Sequence, residues 1–158
     1  MIPTNQKIPL TMRLNVLQKD EAKEVALKEL LTRPAIFSVY MRNNTGGCDK
    51  QNDGLVKHAA ALAKAGYNLV AVSRDTISSH RKYAAKMGIS YVLASDPDDV
   101  FAKATDSLVE KSMYGKKFTG PARAAYVVDR DGTVLAVVPK VDTADHGAQL
   151  KSVLAGLK

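Results

Sequence analysis

Three short apolar runs constrain this chain more than any other feature. "PAIFSVYM" (34–41), "YNLVAVS" (67–73) and "SYVLAS" (90–95) carry β-branched and aromatic residues and are bounded by turn residues. Each reads as a buried strand. Helical patterns separate them. After the first run, "RNNTGG" reads as a loop, and then Leu55, Ala59 and Leu62 form one stripe with Val56, Ala60 and Ala63 beside it, closed by Gly66. After the second, Asp75 or Thr76 can cap a helix that runs to Met87 and stops at Gly88. "DPDDVFAKA" reads as a helix start with a proline near the first turn. Strands alternating with helices imply a parallel core sheet.

The remaining segments extend that plan. "ARAAYVVD" and "TVLAVVP" flank "RDG", a hairpin signal that adds antiparallel strands. Leu150, Val153, Leu154 and Leu157 recur at the helical period and predict a last helix. Residues 107–121 are lysine-rich and punctuated by glycine, and read as irregular. Near the N-terminus, "MRLNVL" reads as an edge strand and "KDEAKEVALKELL" as one helix of strong helix formers. The expected fold class is α/β, a central mixed β-sheet flanked by helices. The 158 residues suit one domain spanning 1–158, with 1–26 as an N-terminal extension of it.

The net charge of +7 raises the question of an anionic partner. Basic residues are spread from Lys7 to Lys158, and the densest group, Lys111, Lys116 and Lys117, has no interleaved aromatics to stack on bases. A solvated basic surface is expected, with no nucleic acid partner. No apolar run approaches the ~18 residues of a membrane-spanning helix, so no membrane partner is expected. The opening "MIPTNQKIPLTMRLNV" lacks the apolar core of a secretory signal, and a cytoplasmic location is the expectation.

One cysteine, Cys48, stands in "NNTGGCDKQ", where the first core strand hands over to the first long helix. Chemistry in open α/β sheets gathers at the carboxyl ends of strands. A thiol in the first turn of a helix faces unpaired N–H groups, which favour thiolate. Gly46 and Gly47 allow close approach of a substrate, and Thr45 can aim its hydroxyl at the same volume. Free cysteine is also among the most buried residue types, so position alone leaves open whether Cys48 is a nucleophile or an inert core residue.

The chain from Leu27 onward resembles the peroxiredoxins, in particular the bacterioferritin comigratory protein or peroxiredoxin Q branch of the AhpC/TSA-like proteins. The residues that carry the resemblance are "MRNNTGGC", "SRDTISSHRKYAAKMGISYVLASDP" and "YGKKFTGPARAAYVVDRDGTV". The resemblance implies a thioredoxin fold and a thiol-dependent peroxidase. Its nucleophile would be Cys48, oxidised to a sulfenic acid, with Thr45 and Arg123 as the other catalytic residues and Met41 and Gly47 lining the substrate site. It implies no cofactor, a monomer or homodimer, and a peroxide substrate, hydrogen peroxide or an organic hydroperoxide. Thioredoxin, glutaredoxin or a small-molecule thiol would be the external reductant.

Three positions depart from the family pattern. Met41 stands where a shielding proline is usual, Gly46 where "TPGC" has proline, and Asp53 where many members of the branch carry a resolving cysteine. With no second cysteine, the resemblance implies a one-cysteine type recycled from outside. Two rivals remain: a degenerate peroxiredoxin-like binding protein and a thiol–disulfide exchange protein. His58, His80 and His146 match no short metal-ligand spacing and read as helix-surface or loop residues, so no metal is expected; the resemblance offers a structural role for His80 and His146, which match positions often histidine in the family.

Overall fold

The computed structural model describes residues 1–157. Its first two strands, β1 (Arg13–Gln18) and β2 (Glu21–Ala26), are followed by a single turn of helix, α1 (Leu27–Leu30). The three apolar runs fold as β3 (Ala35–Val39), β4 (Asn68–Ser73) and β5 (Val92–Ser95), with α2 (Gly46–Lys64) and α3 (Ile77–Met87) between them. Beyond lie α4 (Val100–Ala104), the strand pair β6 (Leu108–Met113) and β7 (Lys116–Pro121), then β8 (Ala124–Val128), β9 (Val134–Val138) and α5 (His146–Ala155). Seven strands form one sheet in the order β2-β1-β5-β4-β3-β8-β9, while β6 and β7 pair separately. β3, β4 and β5 are parallel; β8 runs antiparallel to β3, and β9 to β8. The mixed sheet expected from the sequence is therefore present.

The strand period of two divides the core. Ala35, Phe37 and Val39 of β3 join Val70, Val72, Phe101 and Tyr126 on one face. Ile36 and Tyr40 join Ala71, Leu93, Val127, Leu55, Leu62 and Leu150 on the other, against α2 and α5. That second cluster includes Cys48.

Several elements differ from expectation. Residues 19–31 are not one helix. Lys19 and Asp20 both take positive φ (50° and 64°) and close a two-residue turn, so β2 pairs with β1 along its length. The helix formers of β2 sit mostly exposed on the sheet edge, where pairing of the backbone overrides propensity. β1 is not at the edge, since it also pairs with β5. Pro97 precedes α4 rather than lying in it; the Asp96 carboxylate instead accepts the Val100 and Phe101 N–H groups at 2.7 and 3.0 Å. Residues 107–121 are not irregular: Tyr114 and Gly115, at φ 52° and 77°, turn β6 into β7. Leu157 lies beyond α5 and is exposed.

Candidate active site

The register of the sheet assembles the site. Val39, last in β3, is paired with Ala124, first in β8. Arg123, just ahead of Ala124, therefore comes beside the loop that leaves β3 and turns into α2. That loop is pinned from below. The Tyr40 hydroxyl donates to Asn43 Oδ1 at 2.6 Å, and the Asn43 N–H donates to Asp75 Oδ2 at 3.0 Å. Asn43 Nδ2 donates to Ser79 Oγ at 3.0 Å and meets His80 Nδ1 at 3.2 Å, while His80 Nε2 meets the Ala94 carbonyl at 3.0 Å. Those partners assign the neutral ring, Nε2–H donating and Nδ1 accepting. Burial holds the His80 pKa below its ordinary value, against the pull of the Ala94 carbonyl and Asp75.

Thr45 is the N-cap of α2, and Cys48 is the helix's third residue. Cys48 is 1% exposed, but its side chain lies in the wall of a surface cavity of about 710 Å³. Sγ accepts the Met41 N–H at 3.4 Å. Burial raises the thiol pKa; the Thr45 hydroxyl, the Arg42 and Met41 backbone groups and the Arg123 charge lower it, and the balance falls below the ordinary value. The Thr45 hydroxyl carries one proton, directed at the Arg42 carbonyl at 2.8 Å, so that carbonyl and the sulfur compete for it.

Arg123 lies over the start of α2. A Cβ placed on Gly47 would meet its Nη2 at 3.4 Å, whereas nothing approaches Gly46 within 4 Å. Arg123 Nη1 donates to Gln51 Oε1 at 2.9 Å. Gln51 Nε2 donates in turn to Ser38 Oγ at 2.9 Å and the Val39 carbonyl at 3.2 Å. Ser38 Oγ meets His146 Nε2 at 2.9 Å, and His146 Nδ1 meets Gln149 Oε1 at 3.0 Å. A buried polar chain thus holds the guanidinium from α2 through to α5.

Met41, Thr45, Gly47, Cys48 and Arg123, the site residues read from the sequence, all line the one cavity. Gln51 and the cavity residue Lys111 were not foreseen. Asp49 accepts the Tyr83 hydroxyl at 2.7 Å; Asp53 pairs with Lys57 at 3.0 Å. His80 and His146 are fully buried with their ring nitrogens partnered, which fits the structural reading of these two and not the surface one; His58 is half-buried, 3.6 Å from Asp145.

A helix-borne thiol held toward thiolate, with a guanidinium beside it at the end of a central strand, defines a cysteine-based peroxidase on a thioredoxin fold. The chain belongs to the AhpC/TSA family, whose sequence profile it matches over residues 6–137. It is 30% identical over 149 residues to the bcp protein of Coxiella burnetii, covering 94% of this chain and 96% of that one. It is 34% identical over 123 residues to peroxiredoxin Bcp of Xanthomonas campestris, covering 78% and 75%. A solved structure of the Xanthomonas campestris bacterioferritin comigratory protein, studied for its alkyl peroxide reduction, superimposes with a TM-score of 0.85 at 26% identity, covering 99% of this chain and 100% of that one.

Proposed function

We propose that this chain is a one-cysteine, thiol-dependent peroxidase in which Cys48 is the nucleophile and Thr45 and Arg123 are its catalytic partners. The observation that carries this reading is a sulfur that accepts the Met41 N–H in the wall of a cavity that Thr45 and Arg123 also line. The thiolate attacks one peroxide oxygen, the O–O bond breaks, and both electrons of that bond leave with the other oxygen. Cys48 becomes a sulfenic acid, and the departing oxygen takes a proton from solvent to leave as water or an alcohol. Negative charge moves from sulfur to the leaving oxygen, and a cation fixed beforehand stabilises it along the whole path. The Gln51 contact keeps the guanidinium from reorienting during that transfer.

Both hydrogen peroxide and organic hydroperoxides suit the site. The cavity exceeds what hydrogen peroxide needs, and Met41, Phe118 and Pro121 give it apolar wall. Met41 takes the covering role expected of proline there. The sulfenic acid is reduced by an outside thiol, from thioredoxin, glutaredoxin or a small molecule. A cytoplasmic setting, where such thiols are kept reduced, suits this cycle, as does a monomer or homodimer with the cavity open.

The test is peroxide consumption with dithiothreitol by the wild type and by Cys48→Ser, with dimedone trapping of the oxidised thiol. Consumption and a dimedone adduct at Cys48 are expected in the wild type, and neither in the variant. A variant that consumed peroxide at the wild-type rate would reject the assignment.

A further inference from the structure

The cavity beside Cys48 holds more positive charge than the proposed chemistry uses. Lys111 reaches it from β6, opposite Phe118 of β7 in the hairpin register. Its ammonium is half-buried and forms no ion pair with any carboxylate among the described residues; its one hydrogen-bond partner is the thioether sulfur of Met41. A thioether is a weak acceptor, so most of this ammonium's donor capacity is unused. The other cations in the wall stand differently, and Arg42 among them is exposed to water. Arg74 is neutralised by Asp99, with Nε donating to Oδ1 at 2.8 Å. Arg123 has the neutral Gln51 as its partner and faces the Cys48 thiolate. Asp75, the one carboxylate in the wall, is occupied by the Ser73 hydroxyl at 2.7 Å and the Asn43 N–H at 3.0 Å. With Cys48 ionised and balanced by Arg123, and with Arg42 exposed to solvent, Lys111 is the half-buried cation left over.

A half-buried ammonium with no counter-ion is costly, and a ligand anion removes that cost. Burial, Arg123 and Arg74 press Lys111 toward its neutral form, against the opposing pull of Cys48 and Asp99. Gly120 lies beside Lys111: a Cβ there would meet Lys111 Cδ and Phe118 Cε2 at 3.6 Å, an ordinary contact distance. Apolar surface from Met41, Phe118 and Pro121 lines the same cavity as the sulfur and the ammonium.

We propose that Lys111 is a specificity-determining residue that binds the carboxylate of an organic hydroperoxide whose peroxide group is delivered to Cys48. The proposal rests on the peroxidase reading for its turnover but not for its binding step. On reaction, Cys48 takes the distal peroxide oxygen, and the product is the matching hydroxy acid, still carrying its carboxylate at Lys111.

Two measurements test it. The first compares kcat/KM for an analogue of tert-butyl hydroperoxide, in which one methyl is replaced by carboxymethyl, with that for its methyl ester. The wild type should favour the acid by about tenfold, the scale of one charge-assisted hydrogen bond. Added salt should shrink the ratio. Lys111→Met, which keeps the apolar stem, should bring it close to one. The second measures protection of Cys48 from iodoacetamide by the stable product, the hydroxy acid, with tert-butanol as the neutral control. Protection by the acid alone, lost in Lys111→Met, is expected. An acid-to-ester ratio near one in the wild type, or a preference that survives Lys111→Met, would overturn the proposal while leaving the peroxidase intact. Lys111-dependent protection in a chain that consumes no peroxide would instead retain the anion site and reject the peroxidase.

Discussion

Cys48 is a contest between burial, which favours the thiol, and nearby donors and charge, which favour the thiolate; the donors prevail. The sign of the pH dependence follows. Only thiolate is alkylated, so a lowered pKa makes the iodoacetamide rate rise at lower pH than for a free thiol, whose midpoint is ~8.5. Arg123→Met removes one favourable charge and should shift the midpoint upward. Its rate at neutral pH should fall by roughly three- to tenfold, half to one pKa unit, while the two proteins converge at high pH where both are fully ionised. Equal midpoints would mean that Arg123 does not act on the sulfur. Cys48, Thr45 and Arg123 were legible in the sequence because the family pattern spaces them recognisably. Gln51 left a fainter trace: it lies one helical turn after Cys48 and one before Leu55, a polar residue on a stripe that the fold buries. Lys111 left none, since its place depends on a hairpin that was not foreseen.

Elements whose own sequence closes them were the readable ones. Thr76 caps α3 by accepting the Ser79 N–H at 3.1 Å, and Gly88 ends it in the left-handed conformation, as their residue types indicate. β1 was readable as a strand because Leu14, Val16 and Leu17 are buried between exposed neighbours, whereas β2 and β7 are largely exposed, so charge replaces alternation in them and only pairing defines them. Packing between α2 and α5 was equally illegible. The helices meet at Gly54 and Gly147: a Cβ on Gly147 would stand 2.5 Å from the Gly54 carbonyl oxygen and collide with the His58 ring. Backbone cannot yield as a side-chain tip does. Gly147→Ala should therefore destabilise the fold by up to ~2 kcal/mol, an overpacking cost of about 1–3 kcal/mol less the ~1 kcal/mol that alanine gains as a helix former. A urea unfolding midpoint equal to or above the wild type's would show that the helices do not touch there. Because α5 carries His146, which bonds Ser38 and through it Gln51, the displacement should also reach Arg123 and slow Cys48 alkylation.

Across the whole molecule, the number of thiols decides the catalytic cycle. A second cysteine would close on the sulfenic acid within the chain, releasing water and leaving a disulfide. Here the residue five places after Cys48 is Asp53, tied to Lys57, and no other cysteine exists. The oxygen taken by Cys48 therefore stays until an outside thiol displaces it as water, forming a mixed disulfide that a second thiol reduces. The fold makes that attack selective, because Cys48 is almost wholly covered and opens only toward the cavity. Dithiothreitol is small enough to enter, so it alone should sustain peroxide consumption. Without reductant the reaction should stop after one equivalent of peroxide per chain. Intact mass should then show one added oxygen at one equivalent of peroxide; only an excess of peroxide, in a separate overoxidation, should carry the sulfur on to sulfinic acid. Many turnovers without a thiol would require a redox centre besides Cys48, and would break the one-cysteine cycle at its root.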